Sequence, residues 1–289
     1  MTRAPLGLLS LALAAMLALA GCRAQQAWPT PSPALWAVTG PTGERGWLFG
    51  TIHALPAGAP WRTSKLDAAL AQAGTLVVEV ADLADTGAGT RAFAAAAHSP
   101  GLPPLLQRVP PAQRPALAAA LERAGLAERD FSQTETWAAA LTIANALEAG
   151  EAANGVDRAL LRGGLPVVAL EGFAEQFAIF DRLAPQDQAD LLRLAAADGA
   201  AEQDKRMTAA WIAGDTGALA HEADAGVLAD PELREALLVA RNRAWAERVA
   251  ALLRGGRRPL VAVGAAHMIG EVGLPALLIQ RGFTVMRIQ

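Results

Sequence analysis

The sequence contains one cysteine, no tyrosine and no block of basic residues. A single cysteine, Cys22, cannot form an intrachain disulfide, so the fold must be stabilised by its core alone. The formal net charge of −3, without a basic stretch, excludes nucleic acid from the expected partners. The HExxH signature of zincins is also absent. The lack of tyrosine and the abundance of alanine indicate compositional bias, and we assign them no function.

The first segment of the chain has the layout of a secretory signal. Arg3 precedes an apolar run over 8–20, which is too short for a permanent membrane-spanning helix. The sequence LAGC at 19–22 resembles the lipobox of bacterial lipoproteins, in which the cysteine is acylated and becomes the first mature residue. We therefore predict a lipoprotein signal peptide over 1–21 and a lipid on Cys22 that anchors the protein to a membrane, on the periplasmic side of the cell envelope. A buried membrane helix is the alternative.

The remainder of the chain suits one domain behind a linker. Residues 22–35 have the Pro, Ser and Gln content of an extended linker. Removing residues 1–21 leaves 268 residues (289 − 21), enough for one large domain with a filled core. We predict a linker over 22–35 and a single domain over 36–289.

Two apolar runs far apart in the sequence end in the same Gly-x-x-His pattern. The first, WLFGTIH, ends at His53, and the second, LVAVGAAH, ends at His267. Two further runs, LVVEV and PVVALE, end at or near Glu79 and Glu171. A lone histidine in such a turn would most simply cap it, but two of the four histidines share this context. Because open sheets bind ligands beyond the carboxyl ends of their strands, the repeat favours one shared site.

The alternation of apolar runs and breaks predicts an α/β fold. LWAVTG and GWLFGTIH flank the turn-forming segment PTGER and predict a hairpin. An amphipathic helix over 64–73, with Ser64 as its N-cap, leads to the strand TLVVEV. Residues 90–150 and 174–254 show mainly helical spacing, and the last strand, helix and strand predict parallel pairing. The result is a central, mostly parallel β-sheet with helices around it and helical insertions.

Several motifs follow one another in a specific order: LFGTIHALP, the strand with Glu79, GVDRALL at 155–161, PVVALEGFAEQ, RNRAW at 241–245 and GAAHMIGEVGLPALLIQRGFTV. In this order they resemble the TraB/GumN family, which includes the Tiki proteins, over about residues 45–289. The resemblance implies a fold similar to that of erythromycin esterases and ChaN proteins. It also includes the pair Arg241 and Asn242, and the segments that carry Asp157 and Glu171.

Two neutral imidazoles and a carboxylate form a common ligand set for a catalytic divalent metal ion with an open position for water. We therefore predict His53, Glu79 and His267 as ligands of a divalent metal ion, and Glu171 as the base that takes a proton from water. Arg241, with Asn242 beside it, suits an oxyanion or a carboxylate. The Tiki proteins are described as metal-dependent peptidases, so the resemblance implies a metal-dependent hydrolase acting on a peptide or a small molecule.

Two other functions fit the same residues. In erythromycin esterases a histidine is thought to activate water directly, which implies a hydrolase that needs no metal. ChaN lipoproteins bind haem and several TraB relatives act as signal inhibitors, which implies a non-catalytic binding protein.

Some of the polar residues have simpler explanations. Asp157 suits an exposed or capping position as well as it suits the site. Arg241 could lie on a solvated helix surface beside acidic residues. His98 and His221 are predicted to face solvent.

Overall fold

A computed structural model describes residues 28–148 and 150–289 of the chain. These residues form a six-stranded sheet in the order β4-β3-β5-β2-β1-β6. The strands are β1 (Leu35–Thr39), β2 (Arg45–Thr51), β3 (Thr75–Val78), β4 (Val167–Ala169), β5 (Pro259–Gly264) and β6 (Thr284–Arg287). The predicted signal peptide, with Cys22, lies outside the described residues. Within them, no helix is long and apolar enough to span a membrane.

The sheet is mostly parallel. Four neighbouring strands, β4, β3, β5 and β2, run in the same direction. The predicted hairpin is confirmed, because β1 and β2 pair antiparallel across the turn at residues 40–44. The α/β fold predicted from the sequence is therefore confirmed.

The last strand departs from the prediction. Strand β5 is paired on both sides, with β2 and with β3, so it has no free edge for β6. Strand β6 crosses to the outer edge of the sheet and pairs antiparallel with β1. It keeps the direction of β5, as a crossover helix requires, but the predicted parallel pairing of these two strands is wrong.

The helices largely follow the predicted segments. They are α1 (Ser64–Gln72), α2 (Thr86–Ala96), α3 (Arg114–Ala124), α4 (Thr136–Leu147), α5 (Val156–Leu161), α6 (Phe173–Asp181), α7 (Pro185–Ala195), α8 (Ala200–Ala213), α9 (Thr216–Ala225), α10 (Pro231–Arg234), α11 (Ala240–Arg254) and α12 (Leu274–Gln280). A π-helical turn over Glu235–Val239 joins α10 to α11. The cap of α1 is Thr63 rather than Ser64, since the Thr63 hydroxyl accepts the N–H of Leu66. Helix α9 lies within residues 174–254, which the sequence predicts to be mainly helical, and Leu219 is its one buried residue.

Side chains alternate along the central strands between two apolar layers. One layer packs Phe49, Leu76 and Leu260 of the sheet against α1, α5 and α8. The other packs Leu48, Val77 and Val261 against α11 and α12. A third cluster contains buried residues of α3, α4, α7 and the turns around them, as expected for a helical insertion. Each strand end is thereby fixed between two layers, which positions the turns that follow.

Candidate functional site

The two Gly-x-x-His turns meet at the carboxyl ends of β2 and β5. These strands are parallel neighbours, with Gly50 opposite Val263 and Thr51 opposite Gly264. A β-carbon on Gly50 would lie 3.0 Å from the Cα of Ala265. Strand pairing and this close backbone contact together bring the second turn against the first.

Three predicted ligands converge on Gly264. A β-carbon built on Gly264 would lie 3.1 Å from Glu79 Oε1, 3.5 Å from His53 Nε2 and 3.6 Å from His267 Cδ2. The Nε2 atoms of His53 and His267 lie 3.9 and 4.0 Å from Glu79 Oε1. The absence of a side chain at position 264 therefore keeps open a space that all three residues border.

His53 is oriented by a buried carboxylate. Its Nδ1 lies 2.8 Å from Asp157 Oδ2, and Thr51 donates a hydrogen bond of 2.6 Å to Asp157 Oδ1. The Nδ1–H therefore donates to Asp157, and Nε2 faces the site. Desolvation works against the charged ring, but the hydrogen bond and charge of Asp157 raise the pKa of His53 to about 9. The ring remains 61% exposed and open to a ligand. The exposed position considered for Asp157 is excluded, because that residue is buried.

His267 is buried and held in one tautomer. Its Nδ1 lies 2.6 Å from Asn242 Oδ1, while Asn242 Nδ2 donates to the Val272 carbonyl at 2.8 Å. The amide orientation makes Nδ1 the donor, so the lone pair lies on Nε2, which faces Glu79. Burial, with nearby positive charges, lowers the pKa of His267 to about 4 despite the attraction of Glu79. This imidazole is therefore neutral at pH 7.

Glu79 lies between the two histidines and is held as a carboxylate. Its Oε1 accepts the N–H of Gly264 at 2.7 Å. Its Oε2 accepts from Arg241 Nη2 at 2.8 Å and from Gln176 Nε2 at 3.2 Å. Burial alone would raise the pKa of Glu79, but the two histidines, Arg241 and the backbone N–H lower this pKa to about 2. A negative charge is thus fixed at the centre of the site.

Glu171 binds Arg241 through both carboxylate oxygens. Arg241 Nε donates to Glu171 Oε1 at 3.0 Å and Nη2 donates to Oε2 at 2.8 Å. The indole N–H of Trp245 also donates to Oε1 at 3.0 Å. These contacts make Glu171 a positioning partner of Arg241, and its role as base stays a prediction. The solvated position considered for Arg241 is excluded, since its side chain is 13% exposed.

The remaining donor group of Arg241 is held less firmly. Its Nη1 donates to the Leu237 carbonyl at 3.1 Å, in the π-helical turn, and lies 3.4 Å from His267 Nε2. The second contact is the longest of the Arg241 contacts, so this N–H is the one most easily redirected toward a ligand.

The donor set fits a divalent metal ion in its chemistry and in the open space at Gly264. Ligands of a tetrahedral ion at about 2.0–2.2 Å lie roughly 3.3–3.6 Å apart. The donor separations of 3.9 and 4.0 Å are a few tenths of an ångström longer. In the part of the chain that the structure describes, no three His, Cys, Asp or Glu residues form a ready metal-binding group. Metal binding by His53, Glu79 and His267 therefore stays a prediction.

Two cavities border the site. One has a volume of about 310 Å³ and the other of about 170 Å³, and His53 and Glu79 line both. Sequence reasoning did not identify Thr51 or Gln176, which hold the carboxylates of Asp157 and Glu79. For Gln176 a signal was present, because it ends the motif PVVALEGFAEQ.

The other two histidines lie outside these cavities. His98 and His221 are both exposed, as predicted from their polar surroundings. They therefore serve as controls for the two site histidines.

The fold and site define an α/β protein in which two histidines, a glutamate and an arginine meet at the carboxyl edge of a parallel sheet. The sequence profile of the TraB/PrgY/gumN family matches residues 34–287, which is most of the chain. The chain therefore belongs to the TraB/PrgY/gumN family. Comparisons with curated proteins and with solved structures give no match.

Proposed function

We propose that this protein is a metal-dependent hydrolase of the cell envelope that acts on peptides, anchored on the periplasmic side by a lipid on Cys22. The observation that carries the hydrolase proposal is the convergence of His53, Glu79 and His267 on the open space at Gly264. Both histidines are bonded through Nδ1, which leaves Nε2 for a ligand. This is the arrangement of histidines that bind catalytic metals.

Each residue would have a defined part in such a site. A divalent ion held by His53, Glu79 and His267 would supply an activated water and polarise a carbonyl group. Asp157 and Asn242 fix the orientation of the two rings. His53 would lose its Nε2 proton on binding the ion, because its raised pKa keeps the free ring protonated at pH 7.

Two further groups complete the proposed chemistry. The loosely held Nη1 of Arg241 could turn toward an oxyanion that develops on the substrate. Glu148 is a second candidate base beside Glu171, because it lines the 310 Å³ cavity together with His53. Burial and the neighbouring Asp204 raise the pKa of Glu148, which suits a proton acceptor.

A hydrolase without a metal is the second candidate, and His267 favours it. The lowered pKa keeps this ring neutral at pH 7, and its Nε2 lone pair faces the site. Such a ring can accept a proton from water directly, with Arg241 beside it to stabilise negative charge.

Chelation and metal replacement separate the two candidates. The full-length protein is treated with EDTA, dialysed and supplied with Zn²⁺, Mn²⁺ or Co²⁺, and hydrolysis of a mixed peptide library is followed by mass spectrometry. We expect cleavage to stop with EDTA, to return with one of the metals, and to be lost in His53→Ala and His267→Ala. His98→Ala is the matched control and should cleave as the wild type does. Cleavage that persists through chelation would favour the second candidate, and no cleavage under any condition would contradict both.

A further inference from the structure

The site opens into a groove that extends well beyond the reacting centre. The 310 Å³ cavity adjoins a cavity of about 350 Å³, and the two share Asp204, Met207 and His267. A third cavity of about 580 Å³ adjoins both, since it shares Glu148 with the first and Gln203, Val227 and Leu237 with the second. The three neighbouring cavities, from the histidines to the helical insertion, are together called the extended groove here.

The far end of the extended groove is apolar. Six large side chains line it and remain only partly buried against the cluster of the helical insertion: Leu141, Leu147, Phe180, Leu194, Val227 and Leu237. Positions 140 and 144 of α4 are alanines, and their small side chains leave the volume between the six large side chains open. Apolar surface of this kind gains free energy when a ligand removes it from water.

The charges along the far cavity have one sign. Glu148, Asp198 and Asp204 line it, and the described residues of its wall include no lysine, arginine or histidine. Arg123, outside the wall, pairs with Asp198 at 3.0 Å, so Glu148 and Asp204 carry the argument. Carboxylate or phosphate head groups of lipids would be repelled there. A peptide suits the wall better, because its backbone N–H groups and any basic side chains can donate to carboxylates.

We infer that the extended groove binds an extended peptide substrate, with an apolar side chain in the far cavity and neutral or basic residues beside it. This inference rests on the proposed function, because it assumes that the molecule bound in the groove is the substrate of the hydrolase. It makes the 580 Å³ cavity the specificity site and the histidine end the place of reaction.

A pair of substitutions on α4 tests the groove. Ala144 is exposed and lines the far cavity, whereas Ala146 is exposed and belongs to no cavity of the groove. Ala144→Trp fills the cavity, and Ala146→Trp makes the same change on the same helix away from it. Both are made in the full-length protein carrying His53→Ala, in lipid nanodiscs, so that binding is measured without turnover or detergent.

The probe is a short fluorescein-labelled peptide with a central Leu-Phe pair flanked by lysines, and binding is followed by fluorescence anisotropy. Two matched peptides replace the central pair by serines or the lysines by aspartates, and oleate serves as the lipid competitor. We expect Ala144→Trp to weaken binding about tenfold or more, Ala146→Trp to leave it unchanged, and both matched peptides to bind more weakly. Equal binding by the two tryptophan variants, or displacement of the peptide by oleate from the groove, would overturn the inference. If the probe binds as expected and the wild-type protein cleaves neither it nor the peptide library with any of the metals, the proposed hydrolysis fails and the groove remains a peptide site.

Discussion

Gly264→Ala should remove ligand binding at the site while it leaves the fold intact. Gly264 has φ −46° and ψ 136°, a conformation that alanine adopts without strain. The added methyl group would lie 3.1 Å from Glu79 Oε1 and 3.5 Å from His53 Nε2, in the space where an ion or a water would have to sit. The substitution therefore acts on the site and not on the backbone.

The expected changes in stability and in metal affinity differ in size. Replacing glycine by alanine lowers the conformational entropy of the unfolded chain, which stabilises the folded protein by about 0.4–1 kcal/mol. Crowding of Glu79 by the added methyl group opposes this gain. We therefore expect the free energy of unfolding to change by no more than about 1 kcal/mol. Metal affinity should fall by about tenfold to a hundredfold, the usual effect of a change next to a metal site.

Isothermal titration of Zn²⁺, Mn²⁺ and Co²⁺ into metal-free protein gives the affinity, and thermal denaturation of the same samples gives the stability. Gly217→Ala is the matched control. It lies in the first turn of α9, where a β-carbon would have no atom nearer than 3.4 Å. Unchanged metal binding by Gly264→Ala would refute a shared site at Gly264, and a large fall in its unfolding temperature would assign that glycine to packing instead.

Three further predictions rest on the same geometry, and a fourth rests on the sequence around Cys22. In metal-free protein, histidine NMR should show His53 titrating near 9 and His267 near 4, because Asp157 favours the charged form of one ring and burial the neutral form of the other; titration of both near 6.5 would contradict this. The stability that His53 contributes is then present below about pH 6.5 and lost as the pH rises through 9. The His53→Gln variant should not show this loss, and chemical denaturation across the same pH range measures it. Asn242→Asp should raise the pKa of His267, since a carboxylate would replace the amide oxygen that accepts its Nδ1–H, and the same NMR titration measures the change. Cys22→Ser should lose the lipid and leave the membrane fraction, and unchanged fractionation would refute the lipoprotein prediction.

The convergence of the site residues could be predicted because it follows from the local sequence pattern at the strand ends. Each Gly-x-x-His turn follows a short apolar strand, and parallel strands bring their carboxyl ends to one edge. His53, Glu79 and His267 could thus be grouped without knowledge of the packing. The edge position of β6 could not be predicted, because local pattern does not reveal that β5 already has a partner on each side.

The partners of the site residues depend on tertiary packing and were beyond sequence reasoning. Asp157 lies 104 residues from His53, and nothing in the helix that carries it indicates whether it faces the sheet or solvent. Glu171 has the same strand-end context as Glu79, so the sequence favours a place in the site for both carboxylates alike. The difference arises in α11, where Arg241 and Trp245 lie on one helix face and occupy both oxygens of Glu171.

Elemental analysis tests the central claim most directly. The full-length wild-type protein and its His53→Ala, His267→Ala and His98→Ala variants are purified without chelator and analysed for bound metals. The account predicts about one divalent ion per chain in the wild type and in His98→Ala, and substantially less in the two site variants. Equal metal content in all four proteins, or none in the wild type after incubation with each metal, would contradict it.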